Sequence, residues 1–212
     1  MFNDFQQYKD LLESKLKNGI ITPKILFNSC SFIHDNSRQA PAFYDNTWST
    51  IYYYLGQMVG DVENICEVNF TLGLFTCAFL KQKSDLKNFI GFYPKDKQNK
   101  NIVPFRLGRS NIHRKAKKCN FFLHEGGLYD DGFIDKFKKI NLDMLIFSEI
   151  NSYNNTLEFL DYLYPFVKEN GLIIVDEYNN KEVKEATNAF CDSKNKKPFV
   201  FKTRYGTAIL QK

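Results

Sequence analysis

Phe199-Val200-Phe201-Lys202-Thr203 and Thr207-Ala208-Ile209-Leu210-Gln211 are two β-rich runs joined only by Arg204-Tyr205-Gly206. A connection that short permits an antiparallel hairpin and excludes a helical crossover. Upstream the rhythm is different. Short apolar runs at 64–70, 88–93, 120–124, 143–148 and 172–176 alternate with stretches of helical length at 73–83, 106–118, 129–138 and 156–168. Such alternation predicts βαβ units and a parallel sheet buried on both faces. The clearest helix is 156–168, where Leu157, Leu160, Leu163, Tyr164 and Val167 share one face and Asn170-Gly171 supplies the stop. Another is expected over 181–191, with Val183, Ala186, Ala189 and Phe190. Five parallel strands thus lead into an antiparallel hairpin.

The first 60 residues read differently. Phe5, Tyr8, Leu11, Leu12 and Leu16 recur at helical spacing, and Gly19 and Pro23 end that helix. Residues 25–33 read as a short strand or an ordered loop, and 35–41 as a polar turn. A second helix is expected over 43–59, with Trp48, Ile51, Leu55 and Met58 on one stripe and Gly60 at its stop. The expected organisation is a helical extension, 1–60, on an α/β domain, 61–212, in one compact unit.

Bulk properties bound the possibilities. At 212 residues and 43% hydrophobic, the chain can bury a core without metal or disulfide staples. Its five cysteines, 30, 66, 77, 119 and 191, form no Cys-x-x-Cys pair, which predicts reduced thiols and a cytoplasmic location. The amino terminus has no basic start followed by an apolar run, and no apolar stretch approaches the ~20 residues that cross a bilayer.

The exit of the first strand, Ile65-Cys66-Glu67-Val68-Asn69-Phe70-Thr71-Leu72-Gly73-Leu74-Phe75-Thr76, resembles the first motif of class I S-adenosylmethionine-dependent methyltransferases, Glu-x-Gly-x-x-x-Gly. Glu67, Gly73 and Thr76 match, and Asn69 stands where the first glycine is usual. Asn tolerates positive φ better than most residues, so the bend can survive. The fold that the resemblance implies is Rossmann-like: a mostly parallel seven-stranded sheet ending in an antiparallel hairpin, with helices on both faces. It also implies S-adenosylmethionine as cofactor, held by Glu67, Asn69, Gly73, Tyr93, His124 and Ser148. Tyr93 ends the second strand where the pattern has an acidic residue for the ribose, and Asp96 follows. His124, at the carboxyl end of the third strand, is a candidate base or adenine contact.

The fourth and fifth strands, Asp143 to Tyr153 and Leu172 to Tyr178, are similar to the O-methyltransferase subgroup that acts on sugars, catechols and antibiotics. In many of these enzymes Mg²⁺ is held by a carboxylate from the fourth strand and an acidic pair after the fifth. That resemblance implies Glu149, Asp176 and Glu177 as metal ligands, with His124, Glu149 or Asp176 as catalytic base. Ser148 and Ile150 stand where the subgroup has its fourth-strand aspartates. The alternative for Asp176 and Glu177 is that they only cap the next turn.

Net charge is +5, and between Lys95 and Lys118 there are nine Lys or Arg residues against one acid, Asp96. A phosphate-bearing partner or a solvated helix face would each explain that run. Two functions stand side by side. One is O-methylation of a small, anionic acceptor such as a sugar or nucleotide-sugar. The other is a lapsed methyltransferase domain in a homo-oligomer or larger assembly, favoured by the departures at Asn69, Tyr93 and Ser148. Modification of a nucleic acid is a third, motivated by the basic run alone; no membrane partner is expected.

Overall fold

Each of the seven apolar runs forms a strand in the computed structural model, which describes residues 5–18, 46–58, 62–70, 73–80, 86–94, 103–148 and 152–212. The expected strand or loop at 25–33 and the turn at 35–41 lie outside the described residues, as do Asp96 and Glu149. In chain order the elements are α1 (Phe5–Asn18), α2 (Asn46–Met58), β1 (Asn64–Val68), α3 (Leu74–Phe79), β2 (Asn88–Pro94), α4 (Val103–Lys115) and β3 (Asn120–Gly126). They continue with α5 (Asp131–Lys138), β4 (Leu142–Phe147), α6 (Tyr153–Leu163), β5 (Val167–Asp176), α7 (Lys181–Ser193), β6 (Phe199–Phe201) and β7 (Thr207–Gln211). The sheet order is β3-β2-β1-β4-β5-β7-β6. The first five strands are parallel, and β7 runs antiparallel to both β5 and β6.

Alternation along the strands divides the core in two. Ile65, Phe89, Met144, Ile146, Leu172, Ile174 and Ile209 face α1 to α4, where Leu12, Trp48, Ile51, Tyr52, Leu55 and Ile112 meet them. Cys66, Val68, Ile90, Phe92, Leu145, Phe147, Ile173 and Val175 face α5 to α7, with Phe133, Phe137, Leu160, Leu163, Val183 and Phe190. Helices α1 and α2 therefore share the core of the α/β domain. Cys66, Cys77, Cys119 and Cys191 are buried and none is in a disulfide.

The helix expected over 156–168 stops at Leu163. Pro165 has no N–H to continue the ladder and disfavours helical geometry before it, so a single 3-10 turn, Tyr164–Phe166, follows. Val167 already pairs with Leu142, and the Asn170-Gly171 expected to stop the helix instead lies inside the long strand β5. Asn170 has φ 61°, and a Cβ on Gly171 would lie 2.6 Å from Val167 Cγ1.

The amino ends of the parallel strands are joined by side chains in register. Asn64, Asn88 and Asn120 are cross-strand partners. Asn88 Nδ2 donates to Asn64 Oδ1 at 2.7 Å, and Asn120 Nδ2 to Asn88 Oδ1 at 3.1 Å. Asp143, buried on β4, accepts from the backbone N–H groups of Glu63 and Asn64 at 2.8 and 2.9 Å and pairs with Lys168 at 2.7 Å.

Candidate functional site

β1 lies between β2 and β4, and the crossover direction reverses there. At such a switch point the carboxyl ends of the strands leave a crevice for a ligand. The chain leaves β1 through Asn69 with φ 60°, so the bend keeps a glycine-like backbone without glycine. The side chain reaches across to β4, where Nδ2 donates to the Ser148 carbonyl at 2.8 Å. Ser148 returns the contact: its N–H and Oγ both donate to the Val68 carbonyl, at 3.3 and 3.0 Å. Phe70 turns inward, its ring 5.1 Å from Phe89 and 5.6 Å from Phe121. Gly91 makes room for it, because a Cβ there would lie 2.7 Å from Phe70 Cδ1. Gly73, with φ 64°, then starts α3.

Glu67 is 1% exposed and held by Thr76, whose hydroxyl and N–H donate to the same carboxylate oxygen at 2.6 and 3.3 Å. Glu67, Asn69, Gly73 and Ser148 thus gather round the exits of β1 and β4. Tyr93 is half-buried at the end of β2, against the core on the α1–α4 side. The bend keeps the left-handed backbone on which the methionine portion of the expected cofactor would rest, while the Asn69 side chain lies across the exits of β1 and β4. The end of β2 offers the ribose a phenol in place of a carboxylate.

A second group of polar side chains lies two strands away. Asp176 is the last residue of β5 and is buried beneath α2. Burial pushes its carboxyl up to about 7, and the charge of Glu177 adds to the rise. The Thr207 hydroxyl, the Glu177 backbone N–H and the Trp48 indole oppose it. Thr207 is the register partner of Asp176 and donates to its Oδ1 at 2.7 Å; Thr203 and Thr207 share a further hydrogen bond at 3.2 Å. Tyr52 comes down from α2, stacked on Trp48 at 4.5 Å and edge-on to Phe75 at 5.6 Å. Its hydroxyl is buried with no hydrogen-bond partner among the described residues. Burial, with the charges of Asp176 and Glu67, raises it well above the usual phenol range. A buried carboxyl that titrates near neutrality beside a buried donor is suited to proton transfer.

The sequence pointed to Asp176 through its place after the fifth strand and to Trp48 only as part of a helix stripe, which the Tyr52-Tyr53-Tyr54 run follows. Which of the three tyrosines faces inward follows from helix phase: Tyr52 is four residues after Trp48 and shares its face. Thr207 and Thr203 escaped notice, although the first residue of a hairpin strand is well placed to meet the last residue of its neighbour.

His124 does not join this group. Its ring faces the other side of the sheet, stacked 4.6 Å from Phe133 and 5.7 Å from Phe92, and Nε2 lies 3.4 Å from Asp130. β3 and β5 are four strand spacings apart, about 19 Å, so His124 and Asp176 do not reach one substrate atom. Glu149 lies outside the described residues. Among the described residues no three His, Cys, Asp or Glu side chains are placed to hold a metal ion. Asp176 Oδ1 is engaged by Thr207 and Glu177 enters a turn with φ 60°, so the described residues supply fewer oxygens than the six or more that a hard divalent cation takes. Glu177 opens the turn that follows, its carbonyl accepting from the Asn180 N–H at 2.8 Å, and Asn180 caps the helix after it, accepting from the Glu182 N–H at 3.0 Å.

No protein-family description and no curated protein matches the sequence. Solved structures match in shape. CalS11, a TDP-rhamnose 3'-O-methyltransferase of calicheamicin biosynthesis, superposes with a TM-score of 0.59 at 15% identity, over 100% of this chain and 95% of its own. An O-methyltransferase from Bacillus cereus in complex with SAH gives 0.53 at 11% identity, over 99% and 100%. A Podospora anserina methyltransferase bound to SAH gives 0.59 at 9%, over 99% and 96%. What is shared at these identities is the fold. The chain has the Rossmann-like methyltransferase fold. No described helix is long and apolar enough to cross a membrane.

Proposed function

We propose that this protein transfers a methyl group from S-adenosylmethionine to a hydroxyl of a small molecule, with sugars and nucleotide-sugars as the leading acceptor class. One observation supports this above the others: Asp176, with its carboxyl near 7, is buried at the carboxyl end of β5, two strands from the switch-point crevice, and beneath the Tyr52 hydroxyl. The likeness in fold to a nucleotide-sugar O-methyltransferase supports the acceptor class.

The cofactor supplies the electrophilic methyl group. The backbone at Asn69 and Gly73 would seat its methionine end, Glu67 and Ser148 would brace that bend, and Tyr93 would flank the ribose. The Asp176 carboxylate would accept the acceptor's hydroxyl proton as the oxygen–methyl bond forms and the methyl–sulfur bond of the sulfonium breaks, giving a methyl ether, S-adenosylhomocysteine and a protonated Asp176. Tyr52 donates to the acceptor's oxygen or a neighbouring hydroxyl and holds it in line, which is this fold's main contribution to a displacement. Water is kept from the carboxylate by Trp48, Tyr52 and Phe75. No metal has a part in this scheme.

Titration calorimetry with S-adenosylhomocysteine tests the cofactor, and a panel of TDP-sugars with labelled S-adenosylmethionine tests the acceptor. Saturable heat is expected, and the Asp176→Asn protein should keep that heat while losing methyl transfer. No heat at millimolar ligand would end this reading. It would favour instead a structural role for the domain, which the phenol of Tyr93 at the ribose position supports.

A further inference from the structure

The basic run left unassigned by the methyl-transfer site forms a surface of its own. Arg106, Arg109, Ser110, His113, Arg114 and Lys117 line a groove of about 480 Å³ along α4 and the turn after it. From Arg106 to Arg114 this row covers about 12 Å of helix. No acidic residue occurs between Val103 and Asn120. Among the described residues no carboxylate pairs with Arg106, Arg109 or Lys117.

Helix electrostatics explain only part of the pattern. Cations in a last turn complement the carbonyl end, which accounts for His113, Arg114 and Lys115. Arg106 and Arg109 come before that turn. Arg109 is also positioned: its guanidinium rests 5.7 Å over Phe121, and the His113 ring lies 5.9 Å from the same ring. The inner face of α4 is anchored through Ile112, in the core, so the charged side is presented on a fixed support.

We propose that this groove binds the sugar-phosphate backbone of a nucleic acid without reading its bases. A row of cations with few competing acids suits a line of phosphates. The exposed large hydrophobic side chains among the described residues are Leu11, Tyr129 and Val200, none of them on α4, so among the described side chains this surface offers none to insert into a lipid layer. Phe121 lies under Arg109 and His113 and offers no open face for a base to stack on, which leaves the backbone as the recognised element. The groove is carried by α4 over β2 and β3, at the other end of the sheet from Asp176, and stands independently of the methyl-transfer reading.

The test is fluorescence anisotropy of the full chain with a labelled 20-nucleotide single-stranded RNA of mixed sequence between 50 and 200 mM salt. With about four phosphates engaged, log K should fall against log salt with a slope near −3, roughly a 60-fold loss over that range. The triple variant Arg106→Gln, Arg109→Gln, Lys117→Gln should bind at least tenfold more weakly at 50 mM salt, with the slope reduced by about 2. The charge-keeping pair Arg106→Lys, Arg109→Lys should bind within a fewfold of the unchanged protein. That separates charge from packing on Phe121, and a thermal melt of each variant confirms folding. No binding by the unchanged protein at 50 mM salt overturns the proposal. So does a triple variant of unaltered affinity and slope, or binding to vesicles of anionic lipid with none to RNA.

Discussion

At the amino ends of β1, β2 and β3, Asn64, Asn88 and Asn120 stand side by side and exchange hydrogen bonds, while Asp143 takes two backbone N–H groups and Lys168. At the carboxyl ends, Asn69, Gly73 and Glu177 have positive φ, Asp176 is a buried carboxyl raised to about 7, and the Tyr52 hydroxyl has no hydrogen-bond partner among the described residues. One edge of the sheet satisfies its buried polar groups; the other stores strain and unmet hydrogen-bonding capacity. Parallel α/β sheets bind ligands at the carboxyl edge, and strained backbone gathers at such places. The contrast separates residues that hold the fold from residues available for chemistry.

The largest effect is expected at the amino edge. Asp143→Ala would leave two buried N–H groups without their acceptor and Lys168 without its partner, and should lower stability by about 3–5 kcal/mol. A urea midpoint that barely moved would remove the basis for calling this edge structural.

Asp176 should act in the opposite sense. Its carboxyl is raised in the folded chain, so the protonated form is favoured by folding. That contribution is complete below the ordinary value of 3.8 and is lost as pH rises through about 7. The rise corresponds to on the order of 4 kcal/mol, so the unchanged protein should lose stability from pH 4 to 8 relative to Asp176→Asn. Denaturation curves at a series of pH values measure this. Parallel pH profiles for the two proteins would show that Asp176 is not the buried acid described.

Between the two edges, Gly91 and Phe70 divide one volume. Gly91→Ala sets a Cβ 2.7 Å from the Phe70 ring and should cost about 2 kcal/mol, less in a Phe70→Leu background. Additive costs in the double variant would mean that the two do not share space. The smallest change is expected for Tyr52→Phe, which removes a buried hydroxyl with no hydrogen-bond partner among the described residues. Stability should rise by about 1 kcal/mol while methyl transfer falls. A loss of stability would place that hydroxyl in the structural framework after all.

Much of the fold was legible because strands and helices write different periods into the sequence. The seven runs, the helices between them and the short hairpin connection at 204–206 all follow from local pattern and chain length. The helix end at Leu163 was misread because Val167 continues an apolar stripe that Pro165 cuts short, and a stripe does not show which neighbour it packs on. In the candidate site, the place of Asp176 at the end of the fifth strand was legible from the run before it. The bend at Asn69 followed from Asn's tolerance of positive φ. That His124 and Asp176 lie on different faces and four strands apart was not legible, since a place at a strand's end says neither which face the ring takes nor how far that strand lies from β5.

By itself the sequence determined the element order, the parallel sheet with its antiparallel close, and the residues standing at strand ends, because these depend on periodicity and on how far a short connection reaches. Only the tertiary structure decided that Tyr52 and Thr207 meet Asp176, that Asn69 ties β1 to β4, and that Phe70 occupies the space Gly91 leaves. Those contacts join residues 21 to 124 positions apart, or depend on which face a side chain takes. They form only when packing brings distant segments within the few ångströms over which a hydrogen bond or a steric contact acts.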